Sequence, residues 1–202
     1  GVVDGNKFLH PDLKLKFSVP NGFGMQNGSR AVSIRGSGGQ GQFTTGTYNG
    51  NMRTYIDTAF KGLAGKGKTI SYGEIQRTTV NGLPASYATG RVNSNNGQVD
   101  VTVFAYEFSK KSAFHFATIA PAGRASVFSS MYQSVARMST RESAAIKARK
   151  IDVVTVQRGD TISSISKKMA YTSYQRDRFL VLNRMRANDS LRAGQKVKIV
   201  TY

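Results

Sequence analysis

Residues Gln98–Phe108 alternate with apolar side chains on both parities: Val99, Val101, Val103 and Ala105 on one, Phe104, Tyr106 and Phe108 with Thr102 on the other. Successive side chains of a strand point to opposite faces, so this strand needs cover on both sides. Its neighbours make it the middle of a β meander. Ile70–Val80 runs into Asn81-Gly82, a dipeptide suited to the positive φ angles of a two-residue hairpin turn. Ser86–Val92 runs into a polar loop, Asn93–Gly97, and Ser109–Ser112 turns the chain into Phe114–Ile119. Upstream, Leu13, Leu15 and Phe17 alternate with Lys14, Lys16 and Ser18, the pattern of a half-buried strand, which Pro20-Asn-Gly-Phe23 ends. Ala31–Arg35 and Gly41–Thr47 predict two short strands around the turn Gly36-Ser-Gly-Gly39.

The period changes at Met52. Met52, Tyr55, Ile56, Ala59, Phe60 and Leu63 share one helical face, with Arg53, Asp57 and Lys61 turned away from it. Gly62, Gly65 and Gly67 are expected to terminate this helix. A closing helix is expected after Pro121, its buried stripe being Val127, Phe128, Met131, Tyr132, Val135 and Met138. Residues 1–138 therefore predict one α+β domain, a mostly antiparallel sheet packed with helices. Ser139-Thr-Arg-Glu142 has the Ser-x-x-Glu spacing of a capping box. It predicts a helical joint over 139–150 with a helix at Thr140–Lys147, and Lys147, Arg149 and Lys150 suit its C-terminal end. The third segment is 151–202.

Twenty-nine Lys and Arg against eleven Asp and Glu give a net charge of +18. Residues 151–202 alone carry ten basic and four acidic side chains, so the basicity is spread along the chain. Such a charge draws anionic partners at low salt without choosing among them. No cysteine is present, which removes disulfides and thiolate ligands. No apolar run reaches the ~18 residues of a membrane-spanning helix. The opening Gly1-Val-Val-Asp-Gly5 lacks the basic-then-apolar order of a signal peptide and reads as the start of an excised piece of a longer polypeptide.

Residues suited to catalysis are sparse. The two histidines, His10 and His115, lie outside any HExxH spacing, so no metal site and no cofactor is expected here. His115 lies in phase with Ala117 and Ile119 on a strand and reads as a structural histidine; His10, before Pro11, reads as a turn residue. No Gly-x-Ser-x-Gly elbow and no closely spaced carboxylate pair occurs. Gly36-Ser-Gly-Gly-Gln-Gly41 has the glycines of a phosphate loop but leads into a strand and lacks Lys-Ser/Thr, so it reads as a turn. The chain is not expected to be an enzyme by itself.

The last segment is the one whose residue order points to a ligand. Val153, Val154 and Val156 predict a strand, Gly159 a sharp turn, and Asp160 or Thr161 a helix cap. Ile162, Ile165 and Met169 give that helix a buried face; Phe179, Leu180 and Leu182 do so for a second, with Asn183 at its end. Leu191 and Val197–Val200 complete the sheet. So small a core is marginal alone, and bracing by the joint and the first domain is expected. Val153–Thr161, Leu182-Asn183 and Gly194-Gln195 resemble the LysM module, a small βααβ domain. That resemblance implies a shallow groove for N-acetylglucosamine-containing glycans, peptidoglycan among them. The implied site residues are Arg158, Gly159, Asp160, Thr161 and Ile162 from one loop and Met185, Arg186, Ala187 and Asn188 from the other. Backbone groups would bond the N-acetyl group, and Ile162 or Met185 would touch its methyl. The connection Ala170–Asp177 is longer and more polar than the usual one, and Arg184, Arg186 and Arg192 add cations beside the groove.

His10–Phe23, an early strand running into Pro-x-Gly-aromatic, is similar to the opening of Mog1/PsbP-like sandwich domains. The order His10-Pro-Asp-Leu13, Asn81-Gly-Leu-Pro-Ala85, the capping box after Met138 and the closing Val153–Thr161 unit is similar to the C-terminal region of bacterial M48-family envelope zinc metalloproteases. The implied location is the periplasm or cell envelope, and zinc is expected only in an upstream protease module. Implied partners are peptidoglycan or another anionic envelope polymer, and alternatively that protease module or protein substrates. Nucleic acid is disfavoured: Tyr171, Tyr174 and Phe179 lie among Arg176 and Arg178 as in a stacking groove, but Phe179 is required by the core and no RNP, KH or helix-turn-helix signature occurs.

Overall fold

The computed structural model describes residues 1–146 and 149–202, and the chain divides into two compact units, Gly1–Ile146 and Lys147–Tyr202. In the first, strands β4 (Phe23–Asn27), β5 (Val32–Gly36), β6 (Gly39–Thr45), β7 (Gln76–Val80), β8 (Leu83–Ser94), β9 (Gly97–Ser109) and β10 (Ser112–Pro121) form an antiparallel sheet of order β4-β5-β6-β10-β9-β8-β7. A smaller sheet of order β1-β2-β3-β11 joins Val2–Asp4, Lys7–His10, Leu15–Ser18 and Ala136–Arg137. This is the expected α+β class, mostly antiparallel strand with few helices.

The two-sided strand is β9, near the centre of the larger sheet. Phe104, Tyr106 and Phe108 pack with Phe8, Leu15 and Phe17 of the small sheet and with Phe128, Met131 and Tyr132. Val101, Val103 and Ala105 pack beneath helix α1 (Met52–Ala64), against Tyr55, Ile56 and Phe60. Each fully buried side chain of this size contributes roughly 1.5–3 kcal/mol, so both layers are needed to hold the sheet.

Local chemistry sets the ends of these elements. The Asn51 side chain accepts from Thr54 N–H and caps α1, which ends at Gly65 with φ 79°. Gly62 lies inside the helix instead of ending it, because the chain leaves only where a left-handed residue is available. Asn81 and Gly82 both take positive φ, 47° and 77°, closing the β7–β8 hairpin. Asn81 Nδ2 also donates to Gln133 O and Val135 O, each at 2.9 Å.

Several expectations are corrected. Only Gln76–Val80 of the Ile70–Val80 segment is strand. Its first part lies over β8, where Gly73 N–H donates to Thr89 O and a Cβ at Gly90 would sit 2.4 Å from Ser71 O. Ile70, Tyr72 and Ile75 there pack as cover on the α1 face, so their apolar spacing reflects burial and not strand pairing. The closing helix is shorter than expected: a 3₁₀ turn (Ala125–Phe128) and α2 (Ser129–Ser134) precede extended Val135 and strand β11. Val135 and Met138 are buried, but from extended chain. Strands β1, β2 and β4 are additions to the sequence reading.

Ser139 and Glu142 form the expected capping box of α3 (Thr140–Ala145). Lys147 of the expected helix end lies outside the described residues. Lys14 Nζ donates to Thr140 and Lys16 pairs with Glu142, so α3 is fastened to the β3 region of the first unit. That pair, with the cap, holds the Glu142 carboxyl down at about 2. In the second unit, β12 (Lys150–Thr155) and β13 (Lys196–Thr201) pair antiparallel, with α4 (Ile162–Ser166) and α5 (Gln175–Asn183) between them in the chain. Its core gathers Val156, Ile165, Met169, Phe179, Val197 and Ile199.

Candidate functional site

The first loop follows β12. Val156 N–H donates to Gln195 O and Gly194 N–H to Val156 O, both at 2.8 Å, extending the β12–β13 pairing past its last rung. Gln157–Asp160 then turns: Asp160 N–H donates to Gln157 O, the Asp160 carboxylate accepts from Gln157 N–H at 2.8 Å, and Gly159 takes φ 92°. Thr161 and Ser164 cap α4 reciprocally, at 2.9 and 3.0 Å. The alternative left open between Asp160 and Thr161 is thereby divided: Thr161 caps the helix and Asp160 closes the turn.

The second loop follows α5. Arg184 turns left-handed at φ 52°, and Met185 N–H donates to Leu180 O at 2.9 Å. The Asp189 carboxylate accepts from Arg186 N–H at 2.8 Å, and Arg176 donates to Ala187 O at 2.9 Å. Asn183 binds strand β13 from its side chain: Oδ1 accepts from Lys198 N–H at 2.7 Å and Nδ2 donates to Lys198 O at 2.8 Å. Two short polar residues and one arginine therefore fix a loop that has few apolar contacts of its own.

Arg158, Gly159 and Thr161 are exposed and Asp160 is half-buried. Ile162 is 8% exposed and packs in the core with Val156, Ile165 and their neighbours, so of the two residues expected at a ligand methyl it is the more deeply buried. Met185 is half-buried against the same core, while Arg186, Ala187 and Asn188 are exposed. An open depression of about 710 Å³ is lined by Met185, Asn188, Asp189, Ser190, Arg192 and Gln195. It contains two of the expected residues and none from the first loop. Asp189, Ser190 and Gln195 were missed by sequence reasoning; the polar run Asn188-Asp-Ser190 before Leu191 was the available signal.

The carboxylates of this unit serve its backbone. Asp152, Asp160 and Asp189 each accept a main-chain N–H, and Asp177 lies in the first turn of α5. The three ion pairs among the described residues all lie in the first unit. Arg158, Arg184, Arg186 and Arg192 thus face solvent with no carboxylate partner among the described residues. Two guanidinium groups lie over the Tyr171 ring, Arg149 at 4.6 Å and Arg178 at 4.5 Å from its centre.

Elsewhere, His10 Nδ1 accepts from Leu13 N–H at 3.3 Å, as a turn residue does. His115 is buried on β10 beside Tyr55. The glycine run at 36–41 connects strand to strand. Among the described residues, no group of three or more His, Asp or Glu is placed to hold a metal ion, and no helix is long and apolar enough to cross a membrane.

Residues 154–200 match the LysM domain family model. No curated protein matches the sequence. Among solved structures, a crystal structure from Bacteroides thetaiotaomicron VPI-5482 is similar at a TM-score of 0.52 and 10% identity, over 94% of this chain. The chain spans 65% of the length of that structure. The solution structure of cyanobacterial PsbP (CyanoP) from Synechocystis sp. PCC 6803 is similar at a TM-score of 0.48 and 11% identity, over 68% of this chain and 98% of that one.

Proposed function

We propose that the LysM domain at residues 154–200 binds N-acetylglucosamine-containing glycan of the bacterial wall, with peptidoglycan as its natural form. The match to that family over 154–200 carries the reading. Two rigidly hydrogen-bonded loops support it, since a shallow glycan site depends on backbone donors and acceptors held in place before binding. In this reading, main-chain groups of Arg158–Ile162 and Met185–Asn188 bond the N-acetyl group and Met185 touches its methyl. The exposed arginines add attraction to anionic wall polymer. The location is the cell envelope. No cofactor is required.

For the whole chain we propose a non-catalytic accessory region of an M48-type envelope metalloprotease, divided as 1–138, 139–150 and 151–202. The motif order from His10-Pro-Asp-Leu13 to Val153–Thr161 supports this. Zinc belongs to the protease module in that reading, and the glycan domain holds the enzyme at the wall.

The test is sedimentation of the full chain with purified peptidoglycan, at low and at moderate salt. Met185→Glu and Asn188→Ala are expected to weaken binding about tenfold, equivalent to ~1.4 kcal/mol. Thr161 and Ile162 are poor probes, because one caps α4 and the other is core. Binding by the unaltered chain that vanishes in moderate salt refutes the groove and leaves charge attraction alone.

A second reading, docking of the protease module or its substrates, is favoured by one observation. Ile151 and Val153 of β12, two positions apart on one face of the strand, are 61% and 55% exposed. Co-purification with the protease module, lost in Val153→Lys, supports it; separately expressed pieces that fail to associate count against it.

A further inference from the structure

A pocket of about 320 Å³ opens beside α1 in the first unit, outside the LysM domain. His115 and Tyr55 form its buried base, and Thr45, Thr58, Leu63 and Gly62 are among its walls. None of the side chains lining it is a Lys, Arg, Asp or Glu, in a chain whose net charge is +18. The volume lies at the lower end of the ~300–1,000 Å³ typical of small-molecule sites.

Three hydroxyls of this pocket have acceptors within the fold. Thr45 Oγ1 donates to Ala113 O at 2.7 Å, and Tyr55 Oη donates to the same carbonyl at 3.1 Å. Thr58 Oγ1 donates to Thr54 O at 2.8 Å. Tyr55 Oη and Nδ1 of His115 share a hydrogen bond at 2.9 Å, whose direction follows the imidazole tautomer. Nε2 of His115 has no hydrogen-bond partner among the described residues, on a residue only 7% exposed. Burial pushes this imidazole down to about 4, so it is uncharged at neutral pH. Thr45 and Thr58 thus offer lone pairs, the Gln42 amide and the Thr47 hydroxyl in the same lining offer donors, and His115 Nε2 is open to a ligand.

Gly62 is the second observation. It lies inside α1, where glycine weakens a helix relative to alanine, and a Cβ built there meets no atom within 4 Å. A larger side chain at this position would fill the pocket.

We infer that this pocket binds a neutral, hydroxyl-rich molecule of monosaccharide size. Its O–H groups donate to Thr45 and Thr58, accept from Gln42 and Thr47 and bond His115 Nε2, and its C–H face rests on Ala59 and Leu63. An anion would meet no Lys or Arg in the lining, and a cation would meet no carboxylate and would enter against the positive field of the chain.

The experiment follows the His115 ring signals of the full chain by NMR at about pH 6, above the depressed titration of His115 and below that of a sugar amine. Glucose is the neutral probe, glucosamine the cationic one and glucuronate the anionic one. Glucose is expected to shift His115 saturably while His10 stays still, and the two charged sugars to bind at least about tenfold more weakly. Gly62→Leu is expected to abolish the glucose response with no loss of melting temperature. Absence of a glucose shift at His115, equal shifts from all three sugars, or a response that survives in Gly62→Leu overturns the assignment. None of these readouts depends on the LysM domain.

Discussion

Replacing Asn183 by alanine tests how the second unit is held together. At the end of α5 this side chain makes three bonds: Oδ1 to Lys198 N–H at 2.7 Å, and Nδ2 to Lys198 O at 2.8 Å and Phe179 O at 3.0 Å. It occupies the edge of β13 as a neighbouring strand would. An intramolecular hydrogen bond contributes about 0.5–1.5 kcal/mol net, and the Lys198 side of this set is reachable by water, so the lower half of that range applies. The expected loss is about 2 kcal/mol. A unit spanning Lys147–Tyr202 has only roughly 3–8 kcal/mol in total, so its melting temperature should fall by ~10 °C. Thermal unfolding gives the first readout, and amide exchange at Lys198 N–H gives one specific to this contact. Asn183→Asp keeps the shape but sets a carboxylate against the carbonyls of Lys198 and Phe179, and is expected to cost at least as much as alanine. A variant melting within ~2 °C of the parent, with Lys198 exchange unchanged, would refute the reasoning.

Two further predictions concern the first unit. His115 titrates at about 4 in the fold against 6.5 unfolded, so the unfolded chain binds more protons between those values. Stability is therefore fully present above pH 6.5, falls by on the order of 3 kcal/mol as pH drops through the window, and levels off below about 4; urea titrations should show that slope flattened in His115→Gln. Asn81→Ala should cost about 3 kcal/mol, from two lost hydrogen bonds and a left-handed backbone that alanine resists. Asn81→Gly should restore only the backbone share, measured by the urea midpoint.

Much of the fold was legible wherever local pattern and tertiary role coincide. Both parities of Gln98–Phe108 are apolar, and both faces of β9 are covered. Asn81-Gly82, the 139–142 capping box and the helical face from Met52 to Leu63 all form as their residues require. Burial without matching local structure misled. Val135 and Met138 fall on a helical stripe with Met131 but reach the core from extended chain, and Ile70 to Ile75 cover a helix face without pairing as strand. Short strands such as Val2–Asp4 and Lys7–His10 have too few residues to display a period.

The candidate sites divide similarly. Gly159, Thr161 and the loop at Met185 were readable because a turn and a cap follow from side-chain chemistry within a few residues. Asp189, Ser190 and Gln195 were not, because a depression is formed by segments that meet only in the folded unit. Gly62 looked like a helix terminator, and only the packing of β10 against α1 turns it into the wall of a pocket. The sequence by itself determined the periods, caps and turns, all interactions spanning a few residues. The tertiary structure alone decided which polar atoms of Thr45, Thr58 and His115 share one cavity, because that requires chain segments up to seventy positions apart to be brought together.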